Sequence, residues 1–242
     1  MNKDDLGDRM KAYEAMFQQT IPDSKLIYAR VDGRTFHSLV KRWKLGFANQ
    51  TMIDAMRYAA ATTAQNFNAD VAYVQSDECS FAWKINPNPQ SQRIFNGRTD
   101  KLLSLLAADY SVNFLTWMIM QTTESFPGAL PIFDCRLVPF GDSSELQLMF
   151  YWRYLDGRRN GLQAFIQKTY GHRAVQGKSQ VEMLAKMMED GKNDEFIKLP
   201  DAFRSGSFFI NPKHEEQLGC ARWVTHRQFV DNFQLIFRES VQ

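Results

Sequence analysis

Two short stretches carry residue types that could do chemistry together. In Arg30-x-Asp32-Gly33-Arg34-Thr35-Phe36-His37, a carboxylate and then a glycine follow Lys25 to Val31, whose β-branched and aromatic residues read as a strand. In Gln75-Ser76-Asp77-Glu78, a second carboxylate sits in a tight turn between two further strand-like segments, Val71–Gln75 and Cys79–Lys84. Carboxylates at strand ends suit Mg²⁺, which takes one or two of them and completes its shell with water and phosphate oxygens. Two such ions roughly 3.5–4 Å apart activate an attacking hydroxyl and steady a leaving phosphate. Both dipeptides are equally ordinary turn formers, and turn chemistry explains each as cheaply. Glu78 is expected to face solvent from its turn, although it could serve as a third ligand.

The elements that would position these residues follow in a recognisable order. Asp4 to Gln18 reads as a helix, with Leu6, Met10, Tyr13 and Phe17 at three- and four-residue steps. After the first strand comes a helix from about Asn49 to Phe67, with Ile53, Met56, Ala60 and Ala64 on one face. The two strands around Asp77 are next, then a loop over 86–90, a long helix from Gly97 to about Gln121, and a strand over Ile132 to Phe140. The pattern βαββαβ is the ferredoxin-like arrangement, an α+β fold that serves as the palm of polymerases and nucleotide cyclases among many other uses. Its first and third strands are central neighbours, so Asp32 and Asp77 are expected at one edge.

This reading assigns residues 1–141 to a palm-type core and 142–242 to an appended, mainly helical lobe packed on it. Helices are predicted over Glu145–Asp156, Arg159–Tyr170 and Ser179–Glu189, punctuated by glycines 157, 171, 177 and 191. Met183, Leu184, Met187 and Met188 read as core. Gly206–Ile210 and Ala221–Thr225 read as strands that could pair.

At 242 residues, 44% apolar and 13% aromatic, the chain can bury a sizeable core. No apolar run reaches the roughly 18 residues of a membrane helix, and the acidic first residues predict no secretory signal. Cys79, Cys135 and Cys220 are widely spaced, which argues against a structural zinc site and favours a reducing, cytoplasmic setting. Net charge is only +2, but the stretch from Tyr151 to Lys186 sets seven basic side chains against Asp156 and Glu182. A local basic stripe is the footprint of a polyanion-binding face, and equally of a solvated helix.

Several ordered blocks resemble the tRNA-histidine guanylyltransferase family. They are Gly7-Asp8-Arg9-Met10-Lys11-x-Tyr13-Glu14, Arg30-x-Asp32-Gly33-Arg34-x-Phe36-His37 and Gln75-Ser76-Asp77-Glu78-x-Ser80-Phe81. Phe95-Asn-Gly-Arg98-x-x-Lys101, Phe133-Asp134-x-Arg136, Trp152-Arg153-x-x-Asp156, Arg159-Asn160 and Gly177-Lys178-Ser179-x-x-Glu182 continue the match to about residue 190. The resemblance implies a Mg²⁺-dependent enzyme that extends the 5′ end of tRNA with its two ions held by Asp32, Asp77 and the Gly33 carbonyl. ATP activates the RNA 5′-phosphate, and the 3′-hydroxyl of GTP or another nucleoside triphosphate then attacks it. It further implies nucleotide contacts from Gly33, Arg34, Thr35, Phe36, His37, Ser76, Arg98 and Lys101. RNA contacts are implied for Arg153, Arg158, Arg159, Asn160, Arg173 and Lys178, and the assembly for a homotetramer away from membranes. Two departures stand out. Arg158-Arg159-Asn160-Gly161 replaces the His-x-Asn-Asn of enzymes that make histidine tRNA, which sides with the guanylyltransferase-like branch that repairs truncated 5′ ends on a template. Phe47-Ala48-Asn49-Gln50 replaces Lys/Arg-Pro-x-Asp, which removes a triphosphate-side cation and leaves Lys41 or Lys44 as substitutes. The alternatives are histidine-tRNA guanylylation proper, a palm-fold nucleotide cyclase and an inactive tRNA-binding relative.

Overall fold

The structure, a computed structural model, describes residues 3–85, 92–121, 128–215 and 222–237. The predicted loop at 86–90 lies outside these residues, as do Cys220 and Ala221. The sheet contains β1 (Leu26–Gly33), β2 (Val71–Gln75), β3 (Glu78–Trp83), β4 (Phe133–Phe140), β5 (Ser207–Ile210) and β6 (Trp223–Val224), in the order β4-β1-β3-β2-β5-β6 with every neighbour antiparallel. Its first four members have the ferredoxin-like order, with β1 and β3 adjacent. The two short strands from beyond residue 200 extend the β2 edge.

One face is covered by α3 (Gln50–Asn66) and α4 (Thr99–Gln121). Alternation along the strands sends Ile27, Ala29, Val31, Ala72, Val74, Cys79 and Phe81 to this side, where they meet Met56, Ala60 and Ala64 of α3 and Leu106, Tyr110 and Phe114 of α4. Asn49 caps α3 by accepting from the Met52 amide at 2.9 Å. Among the described residues α4 alone is long and apolar enough to cross a membrane by length and composition, although no run of apolar residues marks it in the sequence. Leu102, Leu106, Tyr110, Phe114 and Met118 turn its inner face onto the core.

The opposite face, carrying Leu26, Tyr28, Val71, Tyr73 and Ala82, is covered by α5 (Ser143–Tyr170) and the final helix, α9 (His226–Phe237). Here the sequence expectation fails: the two helices over Glu145–Asp156 and Arg159–Tyr170 are one continuous helix of 28 residues. Gly157 and Gly161 are not punctuation. A Cβ on Gly157 would stand 2.5 Å from the Tyr73 hydroxyl, and one on Gly161 would stand 2.8 Å from the Phe203 carbonyl. Both glycines sit inside the helix because α5 lies directly on β2 and on α8 (Asp201–Ser205).

Beyond α5, α6 (Gln180–Glu189) opens with a capping box between Ser179 and Glu182, which gives Gly177-Lys178-Ser179 its structural role. A short helix, α7 (Asn193–Ile197), follows. Of the four residues expected as core in α6, Met183 and Met187 are buried, whereas Met188 is 67% exposed and Leu184 lies at the surface. A four-residue step keeps one pair facing in and turns the other out. The N-terminal helix α1 (Lys3–Ala15) forms where expected, but Leu6, Met10 and Tyr13 are exposed and Phe17 lies past its end. A helix the sequence did not signal, α2 (Phe36–Arg42), follows β1 directly.

Gly157→Ala is expected to destabilise the fold by about 1–3 kcal/mol through overpacking against Tyr73 and Gln75. Gly7→Ala, where nothing lies within 4 Å, should not. Urea unfolding midpoints of the two variants check the contrast.

Candidate active site

β1 delivers Asp32 at its carboxyl end, and the turn between β2 and β3 delivers Asp77. The Gly33 amide donates to the Asp77 carbonyl at 2.9 Å, which ties the turn to the strand end. In register, Asp32 lies across from Glu78 on β3 and from Asp134 on β4. Directly opposed residues of an antiparallel pair share a face, so these three carboxylates and Arg30 and Arg136 line the α5 side of the edge. Arg136 reaches Asp32 at 4.0 Å and Asp134 at 3.8 Å. Asp134 was only part of a block in the sequence; its register with Asp32 is what brings it to the site.

Gly33 has a nearer reason to be glycine than close approach of a ligand. A Cβ there would sit 2.2 Å from the Phe36 ring. Phe36 is itself buried against Phe114 and Phe133, with ring centroids 5.4 and 5.2 Å away. Thr35, in the left-handed region at φ 51°, makes the bend that starts α2 and carries His37 toward the cleft described below. Ser76, also left-handed at φ 52°, donates its hydroxyl to the Asp77 carboxylate at 3.0 Å.

Glu78 does not face solvent. Its side chain is 14% exposed and receives both arms of the Arg153 guanidinium, at 2.7 and 2.9 Å, with Arg30 at 3.6 Å. Arg153, 10% exposed, also donates to Asp156 at 2.9 Å. Burial pushes the Glu78 carboxyl up, while the charges of Arg153 and Arg30 pull it back. Burial likewise opposes the charge on Arg153, but Glu78 outweighs it and raises that pKa. Removing one partner of a buried pair costs about 3–5 kcal/mol because it strands the other charge. Arg153 is therefore engaged inside the protein rather than offered to an RNA phosphate.

Beside the carboxylates opens a cleft of about 420 Å³. Ser76 and Asp77 line it; α2 and α3 contribute His37, Met52, Met56 and Arg57, and α5 contributes Asn160 and Gly161. Phe47 meets Phe203 across it, ring centroids 4.9 Å apart. The Gln75 amide group fastens its floor by donating to the Gly157 carbonyl at 2.9 Å. Lys41 and Lys44 do not line this cleft; Arg57, which no motif marked, does.

Arg98 and Lys101 are not brought to this edge. Thr20 bridges Arg98 and the Thr99 amide donates to the Gln19 carbonyl at 3.0 Å, placing both at the start of α4 beside the entry to β1. The length of β1, roughly 20 Å at about 3.3 Å per residue, separates that entry from Asp32. Arg98 is paired instead with Asp100 at 2.6 Å. On the lobe, Arg158, Arg159 and Arg173 are exposed, and exposed Lys178 pairs with Glu182 at 3.1 Å.

Asp32 and Asp77 offer the oxygen donors that a hard divalent cation takes, and among the described residues no group of three His, Cys, Asp or Glu is placed to hold a metal. Burial raises the pKa of Asp77, and the charge of Asp32 adds to it, against the Ser76 hydroxyl. A bound cation would relieve both effects.

The sequence profile of the tRNAHis guanylyltransferase family matches residues 7–141. Over 215 residues the chain is 26% identical to an uncharacterized protein of Acanthamoeba polyphaga mimivirus, covering 81% of this chain and 73% of that protein. It is 28% identical over 152 residues to the tRNA(His) guanylyltransferase of Kluyveromyces lactis, covering 59% of this chain and 60% of the yeast protein, less than two thirds of that relative's length. A bacterial tRNA(His) guanylyltransferase-like protein solved in complex with ATP superposes with a TM-score of 0.80, covering 98% of this chain and 100% of that one; at 24% identity the likeness is one of fold.

Because its folded-state pKa is raised, Asp77 contributes most to stability when protonated, and that contribution is lost as pH rises through the raised value. Metal-free Asp77→Asn is therefore expected to melt about 1–3 °C above the parent at pH 7. Mg²⁺ should raise the melting temperature of the parent and not of the variant, as read by differential scanning fluorimetry with and without the metal.

Proposed function

The chain belongs to the tRNAHis guanylyltransferase family of nucleotidyltransferases, and we propose that it adds nucleotides to the 5′ end of tRNA in the 3′–5′ direction, as a Mg²⁺-dependent, template-guided repair enzyme. The observation that carries this reading is the continuity of the cleft with the carboxylates: Asp77 belongs to both. The nucleoside lies in the cleft against Met52 and Met56, beside the Phe47–Phe203 ring pair. Its triphosphate runs toward Ser76, Asp77 and Asp32, past the Gly33–His37 turn.

In the first step an oxygen of the RNA 5′-phosphate attacks the α-phosphorus of ATP and pyrophosphate leaves. In the second, the 3′-hydroxyl of the incoming nucleoside triphosphate attacks the activated 5′-phosphorus, losing its proton, and AMP leaves. Asp32, Asp77 and the Gly33 carbonyl would hold Mg²⁺, which when bound would supply charge neutralisation and make the attacking hydroxyl more acidic. The protein holds the two carboxylates at one edge, keeps Asp77 fixed through the Gly33 amide, and positions the nucleotide against the RNA end. Phosphoryl transfer asks for little more than such positioning and neutralisation. The exposed cations Arg158, Arg159 and Arg173, with Lys178 beyond them, form the face along which the RNA backbone lies, a family of contacts that dominates affinity.

Repair is favoured over histidine-tRNA guanylylation by the stretch Arg158-Arg159-Asn160-Gly161. Gly161 lies against the Phe203 and Arg204 carbonyls and leaves no room for a side chain there. A homotetramer in the cytoplasm is the accompanying expectation.

Incubation with labelled nucleoside triphosphates, Mg²⁺ and a tRNA lacking its first nucleotide tests the reading. RNA-dependent label at the 5′ end is expected, falling by about three powers of ten in Asp32→Asn and Asp77→Asn, since metal stabilisation is worth several kcal/mol. Full activity in either variant would remove the assignment. A cyclic product formed without RNA, or RNA binding without product, would replace it by a cyclase or a binding protein.

A further inference from the structure

Trp152 is 53% exposed, yet its ring has a fixed seat. The Arg153 guanidinium carbon lies over it, 4.6 Å from the ring centroid. That guanidinium is in turn held by both carboxylate oxygens of Glu78 and by Asp156. Cation and ring form an anchored stack, with the guanidinium on one face and the exposed area on the rest of the indole. A large apolar ring left in water is unfavourable, and one already anchored loses little entropy when something covers it.

Its flank of the helix says what that something is. Tyr151 and Tyr154 turn to α9, where the His226 ring centroid lies 5.9 and 3.9 Å from theirs. Trp152 and Arg159, seven residues apart, share the other flank, and Asn160 beside Arg159 lines the cleft. Two contacts link the ring to the active edge: Arg153 over the indole, and Glu78 on Arg153, directly across from Asp32 in register. Exposed Arg159 lies on this flank and exposed Arg136 stands at the edge beside Asp32, whereas Asp156 and Glu78 are engaged by Arg153. Such a surface suits a polyanion. A second copy of this chain, meeting the same flank across a two-fold axis, would bring like charges together.

We infer that Trp152 is a positioning residue that stacks on the base of the RNA's 5′-terminal nucleotide and so sets where its 5′-phosphate stands relative to Asp32 and Asp77. One sugar joins that base to that phosphate, and the ring sits just beyond the Glu78 pair that borders the carboxylates. Stacking uses a π-face that every base has, so the platform tolerates any sequence and leaves the choice of nucleotide to the template. The inference rests on the reading of this chain as one that acts on RNA 5′ ends.

Fluorescence anisotropy of a 3′-labelled, 5′-monophosphorylated tRNA lacking its first nucleotide, titrated with the full chain in Mg²⁺, tests it without requiring transfer. Trp152→Leu is expected to weaken binding about 5–150-fold, the range for one base–aromatic stack, and Trp152→Phe by less than about threefold. Affinity for GTP alone should stay the same in both, as should the salt dependence of RNA binding, because no phosphate contact is lost. The same RNA with an abasic 5′-terminal residue closes a double-mutant cycle. The parent should bind it as weakly as Trp152→Leu binds intact RNA, and the variant should not distinguish the two. The abasic loss in the parent needs no variant, and its absence would overturn the inference. Equal losses from Trp152→Leu on intact and abasic RNA would mean that the ring only braces Arg153, and would overturn it as well. So would a change of oligomeric state in sedimentation with RNA affinity retained, which would give the ring to a second copy. If the parent binds no RNA, this inference and the transfer reading fall together. A Trp152-dependent stack in a protein that never extends RNA would sustain the inference and sink the transfer reading alone. Nucleotide addition with parental RNA affinity in Trp152→Leu would do the reverse.

Discussion

A buried guanidinium holds the active edge in shape. Arg153 reaches from α5 to Glu78, the residue next to Asp77, and its Nη2 also donates to Asp156 on its own helix. The fork can close only because α5 lies against β2, which in turn requires a bare Cα at Gly157. One turn further along the helix, Gly161 allows the same closeness to α8, and α5 thereby becomes a wall of the cleft. Helix, hairpin and cleft are thus one mechanical unit. A change that lifted α5 from the sheet would strand Glu78, loosen the turn that carries Asp77, and open the slot beside it.

The carboxylates follow the opposite logic from the core around them. Asp32, Asp77 and Asp134 gather on one edge, and burial holds the Asp77 carboxyl above its ordinary range. Such an arrangement weakens the fold and is useful only to something positively charged that arrives with the substrate. The ion pair behind them offsets part of this strain by fixing the hairpin, so that the acids stay together without an ion. The site therefore sets the ion-paired, buried Glu78 directly beside the half-buried Asp77, its neighbour in the chain.

Much of this was legible in the chain because it rests on short-range patterns. Alternation and turn residues located the four palm strands, and their order alone predicted that the ends of β1 and β2 would meet. The residues that escaped did so for nameable reasons. Gly157 and Gly161 look like helix breakers until the partner that needs their missing Cβ is known, and that partner is remote in sequence. Arg98 and Lys101 belong to a block shared with the family, yet the start of α4 lies at the far end of β1, which only the direction of that helix reveals. Glu78 read as a turn residue because nothing nearby in sequence could pair with it; Arg153 arrives from another element. Arg57 is one charged residue on an amphipathic helix, placed over the Trp223 ring of β6 only by the fold. Asp134 needed the strand register.

The central claim is that Asp32 and Asp77 together seat divalent metal against a nucleotide in the adjoining cleft. Electron paramagnetic resonance of Mn²⁺, added with GTP to the full chain, tests it most directly. The account predicts bound Mn²⁺ with hyperfine coupling to phosphate phosphorus, seen in the parent and lost in Asp77→Asn while the variant remains folded. Mn²⁺ that binds without phosphorus coupling, or that binds equally well to Asp77→Asn, would contradict it.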